Sequence, residues 1–124
     1  MAELRARRDG DSAEWFDGLA ADRLLIRRCP ACGRVSRPDT TACPGCLGAD
    51  LEWAKASGTG TVVSLVIDHG RPEPLHLGLV ELDEGPWLHV RLTGSPGVSV
   101  GDRVRLTVHS PEDSEPIPVF AVER

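Results

Sequence analysis

Apolar and polar positions alternate through the C-terminal half of the sequence. Residues 61–67 form a β-branched run that ends at a cluster of turn formers, residues 68–72. Residues 103–108 alternate polar and apolar side chains with a period of two, as a strand with one buried face does. Three further apolar segments have similar lengths: 77–82, 87–92 and 117–122. The pattern predicts five short antiparallel strands, and strands at this spacing favour a small closed barrel of the OB type.

A helical periodicity occurs near the N-terminus. Trp15, Phe16 and Leu19 are spaced to form one apolar stripe on a helix. Asp11-Ser12-Ala13-Glu14 has the form of a capping box, with Asp11 as the N-cap. A helix of about two turns is marginal by itself, so the stripe must pack on something. Two interpretations stay open: the stripe docks on its own domain, or this N-terminal arm docks on another subunit.

All four cysteines of the chain lie between these regions, set as two Cys-x-x-Cys pairs. Cys29 and Cys32 form the first pair, Cys43 and Cys46 form the second, and ten residues separate the pairs. A Cys-x-x-Cys turn presents two thiolates to one ion, and Zn²⁺ prefers four such ligands in a tetrahedron. The separation allows a short β-hairpin that brings the second turn to face the first. We therefore predict a zinc ribbon with one structural zinc per chain, entered through an extended segment at residues 24–28.

Three other uses of paired cysteines stay open at this point: two disulfides, two redox dithiols, or iron in place of zinc, which rubredoxin-like knuckles also hold. Disulfides are disfavoured because residues 1–9 contain no apolar core of a secretory signal. No segment approaches the ~20 apolar residues of a membrane span. We therefore expect a cytoplasmic protein without membrane contact, whose thiols stay reduced.

The charge of the chain bears on the class of its partners. The net charge is −5, and residues 57–124 carry five basic side chains against ten acidic ones. Zinc ribbons joined to OB folds also occur in nucleic-acid-binding modules, which need a basic groove and aromatic stacking platforms. The strand region is acidic and has only Trp87 and Phe120 as aromatic residues. A nucleic-acid-binding module is therefore the alternative function, and we expect no nucleic-acid partner.

Motifs of catalysis are mostly missing. Lys55 is the only lysine, so neither a P-loop nor a Schiff base has support. Residues 58–63 begin as Gly-x-Gly but lead into a strand, where a dinucleotide-binding loop needs a helix. The four histidines are dispersed through the strand region: His69, His76, His89 and His109. We predict no catalytic residue in this chain.

The order of these features resembles one family. A helix with Trp15 and Phe16 precedes a Cys-Pro-x-Cys-Gly knuckle, a second Cys-Pro-x-Cys knuckle and Leu51-Glu52-Trp53. A strand after Gly58-x-Gly60-Thr61-Val62, then Val80-Glu81-Leu82-Asp83-Glu84-Gly85, and a closing Pro118-Val119-Phe120 extend the likeness over about residues 12–122. The chain is similar to the acyl-CoA-associated OB-fold family with a rubredoxin-like zinc ribbon, long known as a domain of unknown function.

This resemblance implies an accessory role. Members of the family that the chain resembles occur with thiolase-like enzymes, or with hydratases and aldolases that act on CoA thioesters in lipid, steroid or polyketide metabolism. The chain would then be a non-catalytic scaffold subunit of such a complex, with acyl-CoA at the shared interface and the catalytic residues on the partner. Trp15, Phe16 and Leu19 are the candidate partner contacts. Arg34 and Arg37 are candidates for contacts near a CoA phosphate.

These patterns divide the chain into three segments. We expect an N-terminal helical arm at residues 1–28, a rubredoxin-like zinc ribbon at residues 29–56 and an OB fold at residues 57–124. The fold as a whole should be mainly β.

Overall fold

Short strands make up most of the fold, which is mainly β as predicted. The computed structural model describes residues 7, 9, 12–70, 72–94 and 97–123. Among these residues, the elements follow in this order: α1 (Ala13–Ala20), β1 (Leu25–Arg28), β2 (Val35–Ser36), β3 (Glu52–Lys55), β4 (Thr59–Asp68), β5 (Leu75–Leu82), β6 (Trp87–Thr93), β7 (Arg103–His109) and β8 (Ile117–Val122).

Five of these strands close into a barrel in the order β4-β5-β6-β8-β7. The ring is completed where the first residues of β4 pair with β7, with Gly60 opposite Val104. Alternate side chains of the strands fill the interior, and Val80, Val104 and Phe120 are fully buried there. The predicted five-stranded barrel is therefore confirmed, with β4 and β5 longer than the sequence pattern indicated.

One pairing differs from the prediction of antiparallel strands throughout. β6 and β8 run parallel, with Leu92 opposite Phe120. A closed ring with an odd number of strands cannot alternate direction at every neighbour, so a five-stranded barrel needs at least one parallel pair. The antiparallel expectation was wrong for this pair because it ignored ring closure.

A polar cluster joins the strands at the place where the barrel closes. Arg103 on β7 makes two hydrogen bonds to the Asp83 carboxylate in the β5–β6 turn, at 2.7 and 2.9 Å. The Thr59 hydroxyl at the start of β4 donates to the same carboxylate. The Arg103 guanidinium and then the Thr59 hydroxyl lower the pKa of Asp83 well below its usual range, because both favour the ionised carboxylate.

A smaller antiparallel sheet precedes the barrel, in the order β2-β1-β3. The predicted extended segment at residues 24–28 contains β1, the central strand of this sheet. The hairpin that was expected between the two Cys-x-x-Cys turns does not form. Instead, β1 and β2 form an antiparallel hairpin on either side of the first Cys-x-x-Cys turn. Pro38 lies just beyond β2 and lacks the N–H that a longer ladder would need.

Helix α1 packs against β1 through a glycine. A Cβ on Gly18 would lie 2.9 Å from the Leu25 side chain, so the glycine permits a close approach of the two elements. The helix ends in a Schellman turn, in which Arg23 N–H bonds to the Gly18 carbonyl and Asp22 N–H to the Leu19 carbonyl. Asp22, with φ +59°, takes the left-handed position that usually favours glycine. The turn sends the chain back along the helix into β1.

The start of α1 differs from the capping box that the sequence indicated. Asp11, the expected N-cap, lies outside the described residues. Ser12 occupies the N-cap, and its side chain makes no capping hydrogen bond. Instead Ser12 exchanges hydrogen bonds with Asp9, whose N–H donates to the Ser12 hydroxyl at 2.8 Å. Within the described part of the chain, no helix is long and apolar enough to cross a membrane.

One continuous apolar core connects the helix, the small sheet and the barrel. Leu19 from α1 and Ile26 from β1 belong to the same buried cluster as Val62 and Phe120 from the barrel. Ala56, in the link between β3 and β4, is also part of it. The knuckles are thus attached to the barrel through a shared core.

Candidate metal centre and partner surface

The two knuckles of the ribbon have the same backbone hydrogen bonds. In the first, the Cys29 N–H donates to the Arg34 carbonyl (2.8 Å) and the Gly33 N–H donates to the Cys29 carbonyl (2.7 Å). The second repeats both bonds between Cys43 and residues 47 and 48, each at 2.8 Å. This repetition makes the cysteine positions of the two knuckles equivalent.

The equivalent positions after each Cys-x-x-Cys turn share a left-handed backbone. Gly33 has φ +78° and Leu47 has φ +62°. Glycine adopts this conformation freely, whereas an L-residue with a Cβ is strained in it. Leu47 is also 80% exposed, so its side chain gains little from packing in this chain.

The four cysteine sulfurs converge on one point. All four Sγ atoms lie within 4.8 Å of one another. The Cys29–Cys46 and Cys32–Cys43 Sγ pairs, each joining the two knuckles, are both 3.5 Å apart. All four are free thiols, so the structure does not contain the disulfides considered as an alternative.

This donor set fits a four-coordinate metal. With Zn–S bonds of about 2.3 Å, sulfurs at the corners of a tetrahedron are about 3.8 Å apart, close to the observed separations. Four thiolates fill a tetrahedral shell and leave no open position, which is the pattern of structural zinc sites rather than catalytic ones. Among the described residues, these cysteines are the one group of His, Cys, Asp or Glu side chains close enough together to hold a metal ion.

Backbone N–H groups favour the thiolate of the first cysteine in each knuckle. The Cys46 N–H lowers the pKa of Cys43 to about 6, and the Cys32 N–H likewise lowers the pKa of Cys29. For Cys46, the Gly48 N–H lowers the pKa, but the neighbouring Cys29 and Cys43 sulfurs outweigh it and raise the pKa to about 11. Full ionisation of the cluster therefore requires a cation at its centre.

The three apolar residues of the arm have different environments. Leu19 is fully buried and Phe16 is 8% exposed, both within the shared core. Trp15 is partly buried and lines a surface cleft. Phe16 and Leu19 therefore dock on the chain's own domain, whereas Trp15 also reaches the surface. Contact of this stripe with a partner stays a prediction.

The two arginines proposed for a CoA phosphate are exposed and line a cleft. Residues 84–86 of the β5–β6 turn line the same cleft. Arg37 Nε is 3.4 Å from Asp39 Oδ1. Two buried polar atoms on the cleft residues, Ser36 Oγ and Glu84 Oε1, have no hydrogen-bond partner among the described residues. The cleft thus offers positive charge at its edge together with unused hydrogen-bonding capacity.

One catalytic motif in the sequence was overlooked in predicting no catalytic residue. Gly97-Val98-Ser99-Val100-Gly101 has the spacing of a nucleophile elbow, which needs a strand before the serine and a helix after it. Ser99 instead lies in the connection from β6 to β7, where its N–H donates to Asp102 Oδ2 at 2.8 Å. The segment is a turn stabilised by Asp102.

Two family models match adjacent parts of the chain. Residues 16–52 match the model described as "ChsH2, rubredoxin-like zinc ribbon domain", and residues 53–109 match "ChsH2, C-terminal OB-fold domain". A solved chain described as "Ltp2-ChsH2(DUF35) aldolase" has 33% identity and a TM-score of 0.82, over 95% of this chain and 98% of that one.

Curated relatives are longer than this chain. A "Probable enoyl-CoA hydratase alpha subunit" of Thermomonospora curvata is 35% identical over 89% of this chain and 37% of its own length. A "3-oxo-4,17-pregnadiene-20-carboxyl-CoA hydratase alpha subunit" of Mycobacterium tuberculosis is 34% identical over 86% of this chain and 36% of its own length. The chain therefore spans a little over a third of the curated relatives it matches.

Proposed function

Because the chain belongs to the ChsH2 (DUF35) family of zinc-ribbon and OB-fold proteins, we propose that it is a non-catalytic accessory subunit of an acyl-CoA-processing complex. Its partner would be a thiolase-like, aldolase or hydratase subunit that holds the catalytic residues. The substrates would be CoA thioesters of lipid, steroid or polyketide metabolism.

The main support for this proposal is the likeness to a chain of the Ltp2-ChsH2(DUF35) aldolase. The likeness covers nearly all of both chains, so it includes the helix, the ribbon and the barrel together. The names of the two curated relatives, both hydratase alpha subunits for CoA thioesters, support the same class of partner.

In this proposal the four cysteines hold one structural zinc per chain. Zinc would supply stability and no chemical step, because four thiolates leave no site for water or substrate. A module as small as this ribbon cannot bury enough surface to fold by itself, so metal binding would stabilise it as it does in isolated fingers, where it contributes about 10–16 kcal/mol. We also propose that the chain works in a reducing compartment such as the cytoplasm, since the metal ligands must be thiolates.

Two surfaces are assigned to the assembly. Trp15 would form the contact of the arm with the partner, and Phe16 and Leu19, which are buried in the shared core, would hold the helix in place beneath it. Arg34 and Arg37 would contact a phosphate of acyl-CoA at the shared interface, where their charge is exposed and the unpartnered Ser36 hydroxyl lies nearby. Arginine is well suited to phosphate because its planar guanidinium donates two parallel hydrogen bonds.

The fold disfavours the alternative of nucleic-acid binding. Phe120 is fully buried, which leaves Trp87 as the exposed aromatic residue of the barrel strands. A single stacking platform on an acidic barrel cannot follow a run of bases.

The test is to tag the chain in its native host and identify co-purifying proteins by mass spectrometry. We expect a stoichiometric thiolase-like, aldolase or hydratase subunit. A Trp15→Ala variant should retain its fold and zinc but lose at least tenfold in partner affinity, since large aromatic anchors often dominate an interface. Recovery of nucleic-acid-binding proteins alone, or of a lone stable chain, would contradict the proposal.

A further inference from the structure

One edge of β4 has no partner strand over its second half. On one side, β4 pairs with β5 from Gly60 to Asp68. On the other side it pairs with β7 at residues 59–61 only, and two further backbone hydrogen bonds join Val62 to the turn that precedes β7. Among the described residues, no backbone hydrogen bond continues this second side beyond Val62. Residues 64–67 therefore form a free edge of the barrel.

A β-bulge marks the start of this free edge. The register between β4 and β5 shifts between Val62 and Ser64. A bulge bends its strand, which here coincides with the point where β4 stops pairing with β7. From Ser64 onward the pairing with β5 is regular again. A regular strand with one unpaired side presents N–H and C=O groups to which another strand can bond.

The free edge lacks the features that usually keep exposed edges apart. Native edge strands commonly carry charged side chains, lysine above all, or proline, whereas residues 62–67 contain neither a charge nor a proline. Three of the five large apolar side chains exposed among the described residues lie here: Val66, Ile67 and Val100. Val100 belongs to this group because the next residue, Gly101, donates its N–H to the Val62 carbonyl. Covering this edge would remove apolar surface from water.

A second copy of the chain supplies a strand that suits this edge. When two identical edges pair about a twofold axis, each satisfies the other and neither is left free. Opposite residues of an antiparallel pair lie on the same face of the sheet, so the axis must pass at a residue of β4, Leu65 or Val66 at the middle of the edge.

Self-pairing of this kind brings no charges of β4 close together. With Val66 at the centre, Asp68 lies opposite Ser64 of the second copy, so the two Asp68 residues are about 14 Å apart along the strands. With Leu65 at the centre they are about 20 Å apart. Both separations exceed the Debye length of about 8 Å at physiological ionic strength, so repulsion between these carboxylates is largely screened.

From these observations we propose that two copies of the chain dimerise by antiparallel pairing of their free edges, residues 64–67 of β4. The two barrels would then share a continuous sheet, with β4 of one copy beside β4 of the other. The proposal does not depend on the accessory role, since it concerns this chain alone. In a complex with catalytic subunits, such a dimer would place two accessory chains side by side.

Sedimentation velocity of the zinc-loaded chain, measured over a range of concentrations, tests the association. We expect a monomer–dimer equilibrium. Val66→Lys should weaken dimerisation about tenfold or more, because lysine on an edge strand opposes edge-to-edge pairing. Leu47→Lys is the matched control, since Leu47 is also exposed but lies in the second knuckle, and it should leave the dimerisation constant unchanged within about twofold. Circular dichroism and zinc content should match the parent chain in both variants.

Hydrogen exchange locates the contact. In the dimer, amides of the free edge that point away from β5 gain hydrogen-bond partners, so exchange in a peptide spanning residues 62–70 should slow as dimer forms. Val66→Lys should remove this protection. Val66→Thr adds no charge and keeps a β-branched side chain that favours strands, so it should retain both the dimer and the protection.

Several outcomes would overturn the proposal. One is a folded, zinc-loaded chain that stays monomeric at every concentration up to its solubility limit. Another is a dimer that Val66→Lys and Leu47→Lys weaken equally, or that forms without slower exchange in residues 62–70, because such a dimer would use a different surface. Slower exchange there only after addition of a co-purifying catalytic subunit would mean that the edge receives a strand of that subunit instead of a second copy.

Discussion

Substitution of Gly33 by alanine should weaken zinc binding through backbone strain alone. Gly33 has φ +78°, and nothing lies within 4 Å of the position that a Cβ would occupy, so the new methyl group meets no clash. An L-residue in a left-handed conformation costs about 1–2 kcal/mol. Because the ribbon folds together with its metal, this cost should appear as a zinc affinity about 5–30-fold weaker.

The assay is competition with a chromophoric chelator at fixed pH, for the parent and Gly33→Ala chains. Gly97→Ala is the matched control, since Gly97 also has open space at its Cβ position but its φ lies outside the left-handed region. The control should bind zinc as the parent does. Equal affinities for all three chains would refute the strain argument.

The second knuckle provides the reverse experiment. Leu47 occupies the position equivalent to Gly33, with φ +62° and 80% of its surface exposed. Leu47→Gly relieves about 1–2 kcal/mol of strain but adds about 0.5–1 kcal/mol of backbone entropy, so zinc binding should range from unchanged to about tenfold tighter. Binding more than tenfold weaker would mean that the Leu47 side chain stabilises the ribbon in a way that the structure does not explain.

Three further predictions concern the metal, the barrel core and the barrel seam. Cys43→Ser should lose stoichiometric zinc by atomic absorption, and a full zinc equivalent with an unchanged fold would contradict the ribbon assignment. Phe120→Ala should destabilise the chain by about 3–5 kcal/mol in denaturant unfolding, because Phe120 is fully buried; a loss below about 1 kcal/mol would mean that the core is not packed around it. Asp83 has a lowered folded-state pKa, so its stabilising contribution is present above its unfolded pKa of about 4 and is lost as pH falls through the folded value. The melting temperature of Asp83→Asn should therefore fall below that of the parent at pH 7, with the gap closing in acid; a gap that is constant with pH would contradict this.

The local patterns that the sequence carries were enough to predict the barrel strands and the sulfur cluster. Strands are encoded by period-two alternation within a few residues, and Cys-x-x-Cys spacing is itself a local turn geometry. The parallel β6–β8 pair is different, because it follows from closing a ring of five strands and cannot be predicted from any single segment of the sequence. Counting the strands would have predicted it.

Features that join distant segments were beyond sequence reasoning. The Arg27–Trp53 contact depends on β1 pairing with β3 across both knuckles, and nothing in either segment specifies that register. The placement of Trp15, Trp53 and Trp87 around one cleft depends in turn on how the helix, the small sheet and the barrel pack together. In the sequence, Gly18 is only a weak helix former, whereas in the fold it permits the close contact of α1 with Leu25.

The most direct test of the central claim is an acyl-CoA turnover assay on the chain alone and on the complex recovered from its native host. We expect that the purified, zinc-loaded chain converts no acyl-CoA thioester, whereas the complex with its aldolase, hydratase or thiolase-like partner does. Turnover by the chain alone, abolished by substitution of one of its own residues, would contradict an accessory role.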